Sequence, residues 1–189
     1  SLTVSYIPLS HGSDRYKVWS HFVHGARVGF CQFGAENWEW REANKTDAPG
    51  QSSVDLLFEQ IRRLQPTSMA CPPNIWAGLH QIFDATSDLS AVSDMLGSRM
   101  KTMVTGGAPT PTSDLLFAKK LCYFCNIDFS ESYGTTESGG ISVNGYQPHP
   151  RYEEVEVQLI DPGDGGTATK MSHDEMGTVG EVVVRCETL

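Results

Sequence analysis

"DFSESYGTTESGGIS", Asp128 to Ser142, carries a tyrosine, a glycine, two threonines and a glutamate between a short apolar run and a glycine pair. A turn at this point needs only the glycines. The other side chains form a series with chemistry of its own. Tyr133 offers an aromatic face for stacking, and Gly134 removes the obstruction beside it. The hydroxyls of Thr135 and Thr136 can donate to phosphate oxygens. Glu137 supplies the hard carboxylate oxygen that Mg²⁺ prefers, an ion that usually bridges to substrate phosphates. A base, a phosphate and a metal could be contacted in that order along five residues. The competing reading is a Gly- and Thr-rich turn, because short motifs of this kind recur by chance. The setting of the stretch has to decide between them.

Upstream, strand-like and helix-like segments alternate. "VSYIPL" and "ARVGFCQF" are short β-branched and aromatic runs, separated by "DRYKVWSHFVHG", whose Gly25 reads as a helix stop. Trp38 to Ser52 is polar and breaks the pattern, as an excursion or loop does. "SSVDLLFEQIRRLQP" predicts a helix capped by Ser52 or Ser53, with Leu57, Ile61 and Leu64 on one face and Pro66 ending it. "TSMAC" reads as a short strand. Pro73 can open the next helix, with Ile75, Leu79 and Ile82 at helical spacing. "SDLSAVSDMLG" repeats the logic from an Asp/Ser start to Gly97. "KTMVT" is a strand, Leu115, Ala118 and Cys122 mark another helical face, and "NIDFS" is a strand that delivers the chain to the loop "SESYGTTESGG". Strands separated by helices at this spacing predict an α/β fold, a parallel sheet with flanking helices.

That sheet gives the opening stretch its setting. Ligands of open parallel sheets bind at the carboxyl ends of the strands. Two candidate loops leave such ends, "TGGAPTP" after "KTMVT" and "SESYGTTESGG" after "NIDFS". Gly106 and Gly107 lack Cβ, so a flat ligand can approach their backbone closely. Either loop alone is readily a turn; the two on one sheet edge point to a site. Beyond about Gly145 the pattern changes. "EEVEVQLID" and "GEVVVRC" alternate strictly, as half-solvated antiparallel strands do, around the Gly-, Asp- and Thr-rich "PGDGGTATKMSHDEMG", which reads as a long exposed hairpin loop. The expected division is therefore residues 1–145 as an α/β subdomain and 146–189 as the start of a small β subdomain.

Composition narrows the classes. With 189 residues, 39% hydrophobic and 20% charged, the chain is long enough for an ordinary globular core. A formal net charge of −9 argues against nucleic acid or an anionic membrane as main partner. No apolar run approaches the ~20 residues of a membrane span. Five cysteines, an odd number, include the C-x-x-C of Cys122 and Cys125, with no second Cys/His pair beside it to complete a zinc site. Buried thiols are the main reading, metal or redox chemistry the alternative, and a reducing, cytoplasmic location is expected. The chain lacks an initiator methionine and closes on a strand, which reads as a segment of something longer.

"GGAPTP", "YGTTE" and "GEVVVR" in this order resemble the adenylate-forming (AMP-binding) superfamily: acyl-CoA synthetases, luciferases and adenylation domains of peptide synthetases. "YIPLSHGSDR" and "LLFEQIRRLQPTSMACPPNIW" are most similar to the long-chain fatty acyl-CoA synthetases, and the likeness runs over essentially the whole chain. The resemblance implies that adenine lies between the Gly107-Ala108-Pro109 backbone and Tyr133. The nucleotide contacts would take in Ser132, Gly134 and Thr135 as well. Thr136 would meet the α-phosphate and Glu137 would bind Mg²⁺; these two are the implied catalytic residues. Gly106 and Gly107 would line the acyl pocket and His11 would stand near the carboxylate entry, although a lone histidine after a strand is as often structural. Glu181 is expected to be structural. The implied reaction joins a carboxylic or fatty acid to AMP from ATP and passes the acyl group to coenzyme A. Rivals are an adenylation domain that loads a carrier-protein thiol, as in peptide synthetases or carboxylic acid reductases, and a binding homologue without chemistry. Departures are Asp14 in place of the usual Glu, Gly12 and Ser13 in place of bulkier apolar residues, and Glu131-Ser132 in place of Gln-Gly. Ser132 is expected to narrow the pocket floor. The phosphate loop with its lysine is expected upstream, and the ribose aspartate and the C-terminal domain with its lysine downstream.

Overall fold

Strand β1 (Leu2–Ser5) buries Thr3, Val4 and Ser5 in succession, so both of its faces are covered. That is the condition of an interior strand in a parallel sheet. The computed structural model describes residues 1–31, 53–135, 139–144, 156–160, 168–169 and 181–185. In it β1 pairs in parallel with β2 (Arg27–Phe30) on one side and β3 (Ser68–Ala70) on the other. Strand β4 (Thr102–Thr105) joins β3, and β5 (Asp128–Thr135) joins β4, both again parallel. The order β2-β1-β3-β4-β5 places the carboxyl ends of all five strands at one edge. The α/β architecture expected from the alternating segments is the one observed.

The helices follow their local signals. Helix α1 (Gly12–Val23) packs on β1 and β2 and stops before Gly25, whose φ of 66° is the left-handed turn a glycine takes without strain. Helix α2 (Ser53–Leu64) buries Leu57, Phe58 and Ile61. Ser53 is its first residue, whereas Ser52 and the polar excursion from Trp38 lie outside the described residues. Helix α3 (Pro73–Thr86) begins on Pro73 and buries Ile75, Trp76 and Leu79. Helix α4 (Leu89–Leu96) is capped by Asp88, whose carboxylate accepts from the Ser90 amide at 2.8 Å. Helix α5 (Thr112–Phe124) buries Phe117, Ala118, Leu121 and Cys122. Helices α2 to α5 pack on one another, and their inward residues enclose the core with Val4, Met69 and Met103. Trp76 meets Phe129 of β5 edge-on at 5.6 Å.

The chain divides into two compact units, Ser1–Ser132 and Tyr133–Leu189, with β5 running through the junction. In the second unit the end of β5 neighbours β6 (Gly139–Val143). Strands β7 (Glu156–Ile160), β8 (Ala168–Thr169) and β9 (Glu181–Arg185) form an antiparallel sheet in the order β8-β7-β9. Two expectations are corrected. The strand that "NIDFS" begins does not end at Ser130 but continues through Thr135, because β4 pairs it as far as Glu131 and β6 takes up its remainder. The stretch between the last two long strands is not all loop: Ala168 and Thr169 pair with Ile160 and Leu159. The pairing of Glu156–Ile160 with Glu181–Arg185 is antiparallel, as the alternation implied.

One surface stands out. Tyr16, Trp19 and Val23 of α1, spaced three and four residues apart, are 77%, 64% and 80% exposed, with Phe22 edge-on to Trp19. Phe30 on β2, an outermost strand among those described, is exposed as well.

Candidate functional site

Thr105, the last residue of β4, is buried, and its hydroxyl shares a 2.9 Å hydrogen bond with that of Thr110. The intervening Gly106, Gly107, Ala108 and Pro109 are thus closed into a short loop at the carboxyl edge of the sheet. Gly107, Ala108 and Pro109 are exposed and carry no side chain beyond a methyl and a ring. The loop therefore presents backbone rather than side chains.

Its two glycines have different causes. Gly107 has a φ of 82°, a conformation that a Cβ penalises, and a Cβ built there would meet nothing within 4 Å. A Cβ on Gly106 would lie 2.3 Å from the Ser132 hydroxyl oxygen and 2.5 Å from the Ser132 carbonyl oxygen. The space freed at Gly106 is filled by β5, and only the space freed at Gly107 is open. Ser132 also donates its hydroxyl to the Thr105 carbonyl at 3.1 Å.

In the second unit Tyr133 is 47% exposed. Gly134 lies against β6 so closely that a Cβ would fall 2.2 Å from the Gly139 carbonyl oxygen and 2.9 Å from the Gly140 Cα. Thr135 ends β5 and is exposed. Thr136 and Glu137 lie outside the described residues, so the phosphate- and metal-directed end of the motif has no geometry here. Among the described residues no group of three His, Cys, Asp or Glu side chains could hold a metal ion.

His11 follows β1 at the same carboxyl edge, immediately before α1. It is exposed, and its Nδ1 lies 2.9 Å from the Ser13 hydroxyl. Behind it is a buried polar group that the sequence reading missed. Asp14 accepts a hydrogen bond from Ser5 and ion-pairs with Lys17 at 2.5 Å; Lys17 in turn lies 5.7 Å from the Tyr6 ring centre, and the Tyr6 hydroxyl donates to the Ala70 carbonyl. The i,i+3 spacing of Asp14 and Lys17 was the available signal. Asp14 therefore ties the first turn of α1 to β1. The four cysteines among the described residues are free thiols, three of them buried. Burial pushes Cys31 up to about 11 and Cys122 up to about 12, and raises Cys71 and the Tyr6 phenol well above their ordinary values. Cys125 donates to the Ser93 hydroxyl at 3.2 Å. The C-x-x-C is thus a pair of packed thiols.

A side-chain-poor loop at the carboxyl end of a parallel strand fits the approach of a flat ligand. The family described as AMP-binding enzyme matches residues 2–189. The chain belongs to it. Carboxylic acid reductase of Mycobacterium marinum is 23% identical over 207 residues, covering 100% of this AMP-binding chain and 15% of the reductase. Long-chain-fatty-acid–CoA ligase 1 of Homo sapiens is 24% identical over 171 residues, 71% of this chain and 21% of the ligase. The crystal structure of a long-chain-fatty-acid-CoA ligase from Archaeoglobus fulgidus matches with a TM-score of 0.63 at 18% identity, over 98% of this chain and 34% of the ligase. The chain spans well under half the length of each. No helix among the described residues is long and apolar enough to cross a membrane.

Proposed function

We propose that the protein is part of an ATP-dependent acid–thiol ligase that activates a carboxylic acid, of the fatty acid class, as its acyl adenylate and transfers the acyl group to coenzyme A. The observation that carries this reading is the exposed Gly107-Ala108-Pro109 backbone, fixed at the carboxyl end of β4, in a chain matched by the AMP-binding family over residues 2–189. In this reading residues 1–145 belong to the larger α/β subdomain and 146–189 begin its β subdomain. The Gly107-Ala108-Pro109 backbone and the Tyr133 ring hold the adenine, with Ser132, Gly134 and Thr135 alongside. Thr136 contacts the α-phosphate, and Glu137 holds Mg²⁺. Gly106 and Gly107 line the acyl pocket, Gly106 also giving β5 its close approach to that loop, and His11 lies toward the acid's entry.

Mg²⁺, held by Glu137, would supply charge stabilisation for a departing pyrophosphate when bound. The chain's own contribution is to orient the nucleotide. Backbone amides and carbonyls that are already fixed need no reorganisation when the base arrives. The resemblance implies that a phosphate-loop lysine and a C-terminal lysine come from other parts of a longer chain, and the whole reaction is proposed for such a chain.

A second reading is favoured by the reductase match over the full chain: the acyl group passes to a carrier-protein thiol instead of coenzyme A. Acid-dependent pyrophosphate release by the parent protein, followed by offering coenzyme A or a phosphopantetheinylated carrier, separates the two. Absence of acid-dependent pyrophosphate release would sink both. For the 189-residue chain itself, AMP titrated against the amide signals of Gly107, Tyr133 and Gly134 is expected to give millimolar affinity, roughly −4 kcal/mol, because only the base is framed. Shifts confined to residues 161–177 would contradict this placement.

A further inference from the structure

The loop Gly106–Pro109 has little of its own to keep it in one shape. Two of its four residues are glycines, which lose the most freedom on ordering, and three are exposed. Three hydroxyls supply the missing constraint. Thr105 and Thr110 join the two ends of the loop side chain to side chain at 2.9 Å, so four residues are spanned by one hydrogen bond. Ser132 ties the start of the loop to the neighbouring strand through the Thr105 carbonyl at 3.1 Å. The Ser132 backbone fills the place of the absent Gly106 Cβ, so Gly106 cannot move toward β5. Thr105 is buried and Thr110 half-buried, so water competes poorly for these bonds.

We propose that Thr105, Thr110 and Ser132 are positioning residues, a hydroxyl clamp that holds the Gly106–Pro109 backbone in its ligand-ready shape before the ligand arrives. The part that concerns affinity rests on the base-binding reading above; the part that concerns loop order does not. Order already present in the free protein is order the ligand need not impose, and affinity gains accordingly. Ser132 then spends its hydroxyl on β4.

The test uses the 189-residue chain with three substitutions. Thr110→Val removes one hydroxyl at nearly constant shape, Thr110→Ser restores it, and Ser132→Ala removes the second tie. Backbone order parameters of Gly107 and Ala108 are measured by ¹⁵N relaxation, AMP binding by amide shifts, and global stability by urea denaturation. In the unsubstituted chain the order parameters should lie near the rigid value of about 0.85, and in Thr110→Val and Ser132→Ala they should fall toward about 0.6. AMP affinity should weaken by about two- to tenfold, the effect of one net hydrogen bond. Thr110→Ser should recover both, a rescue that a general loss of packing would not show. Unchanged order parameters in both folded hydroxyl-deletion variants would overturn the clamp. If the unsubstituted chain binds no AMP while the order parameters behave as stated, the base-binding reading fails and the clamp stands. If Thr110→Val does not fold, Ser132→Ala decides alone.

Discussion

A hydrogen atom in place of a side chain does different things at Gly134 and Gly107. At Gly134 a methyl would strike the Gly139 carbonyl and the Gly140 backbone, which cannot swing aside as a flexible side chain can. Gly134→Ala should therefore destabilise the protein by about 1–3 kcal/mol, seen as a lower urea midpoint. At Gly107 the space is open and the cost is conformational. Gly107→Ala should lose about 1–2 kcal/mol, and Gly107→Asn clearly less because asparagine tolerates the left-handed region. Equal losses for alanine and asparagine would contradict that account. Three residues beyond Gly134, Glu137→Gln in the parent protein keeps the size and removes the charge proposed to hold Mg²⁺. Pyrophosphate formation should slow by about 10²–10³-fold, and thiol attack on pre-formed acyl adenylate much less, because no pyrophosphate leaves in that step. Equal slowing of both half-reactions would remove Glu137 from the metal.

Elements were legible where punctuation and periodicity agreed. Pro73, Asp88 and Gly97 each mark a boundary by local chemistry, and helices α3 and α4 begin or end there. Asp88→Ala should cost about 1 kcal/mol in urea denaturation, because it removes the acceptor for the Ser90 amide. Asp88→Asn or Asp88→Ser should retain most of that stability. What could not be read is carried by pairing between distant residues. The length of β5 depends on β4 and β6, and nothing in "SESYGT" marks those residues as paired. The short strand at Ala168 exists only through its register with Ile160. The Thr105–Ser132 tie spans 27 residues, so the sequence showed two ligand-like loops without the bond that links them. Gly106 was legible as a loop glycine, but the close approach of Ser132 that requires it was not.

For the molecule as a whole, the buried thiols and the Tyr6 phenol set an alkaline limit. Their folded values lie above the ordinary ones, 9.0 for a thiol rising to about 11 at Cys31 and about 12 at Cys122. Above pH 9 the unfolded chain releases these protons and the folded chain keeps them. The contribution of these thiols to stability is therefore fully present below pH 9 and is lost as pH rises through about 11 to 12. Replacing Cys31 and Cys122 by alanine should flatten the fall in urea midpoint between pH 9 and 11, at some cost in packing at every pH. In the proposed reading the ligase reaction needs more than these 189 residues. Covering 34% of a solved ligase, the 189-residue chain should show no acid-dependent pyrophosphate release, since residues that act as a unit lose nearly everything when some are absent. The exposed face of Tyr16, Trp19 and Val23 has a consequence for the molecule in solution. A net charge of −9 keeps copies apart while the carboxylates are ionised. Acid removes that repulsion and leaves the aromatic stripe unopposed, so the osmotic second virial coefficient should pass from positive to negative as pH falls toward 5. Trp19→Glu with Val23→Lys, which breaks the stripe at constant net charge, should keep the coefficient positive to lower pH.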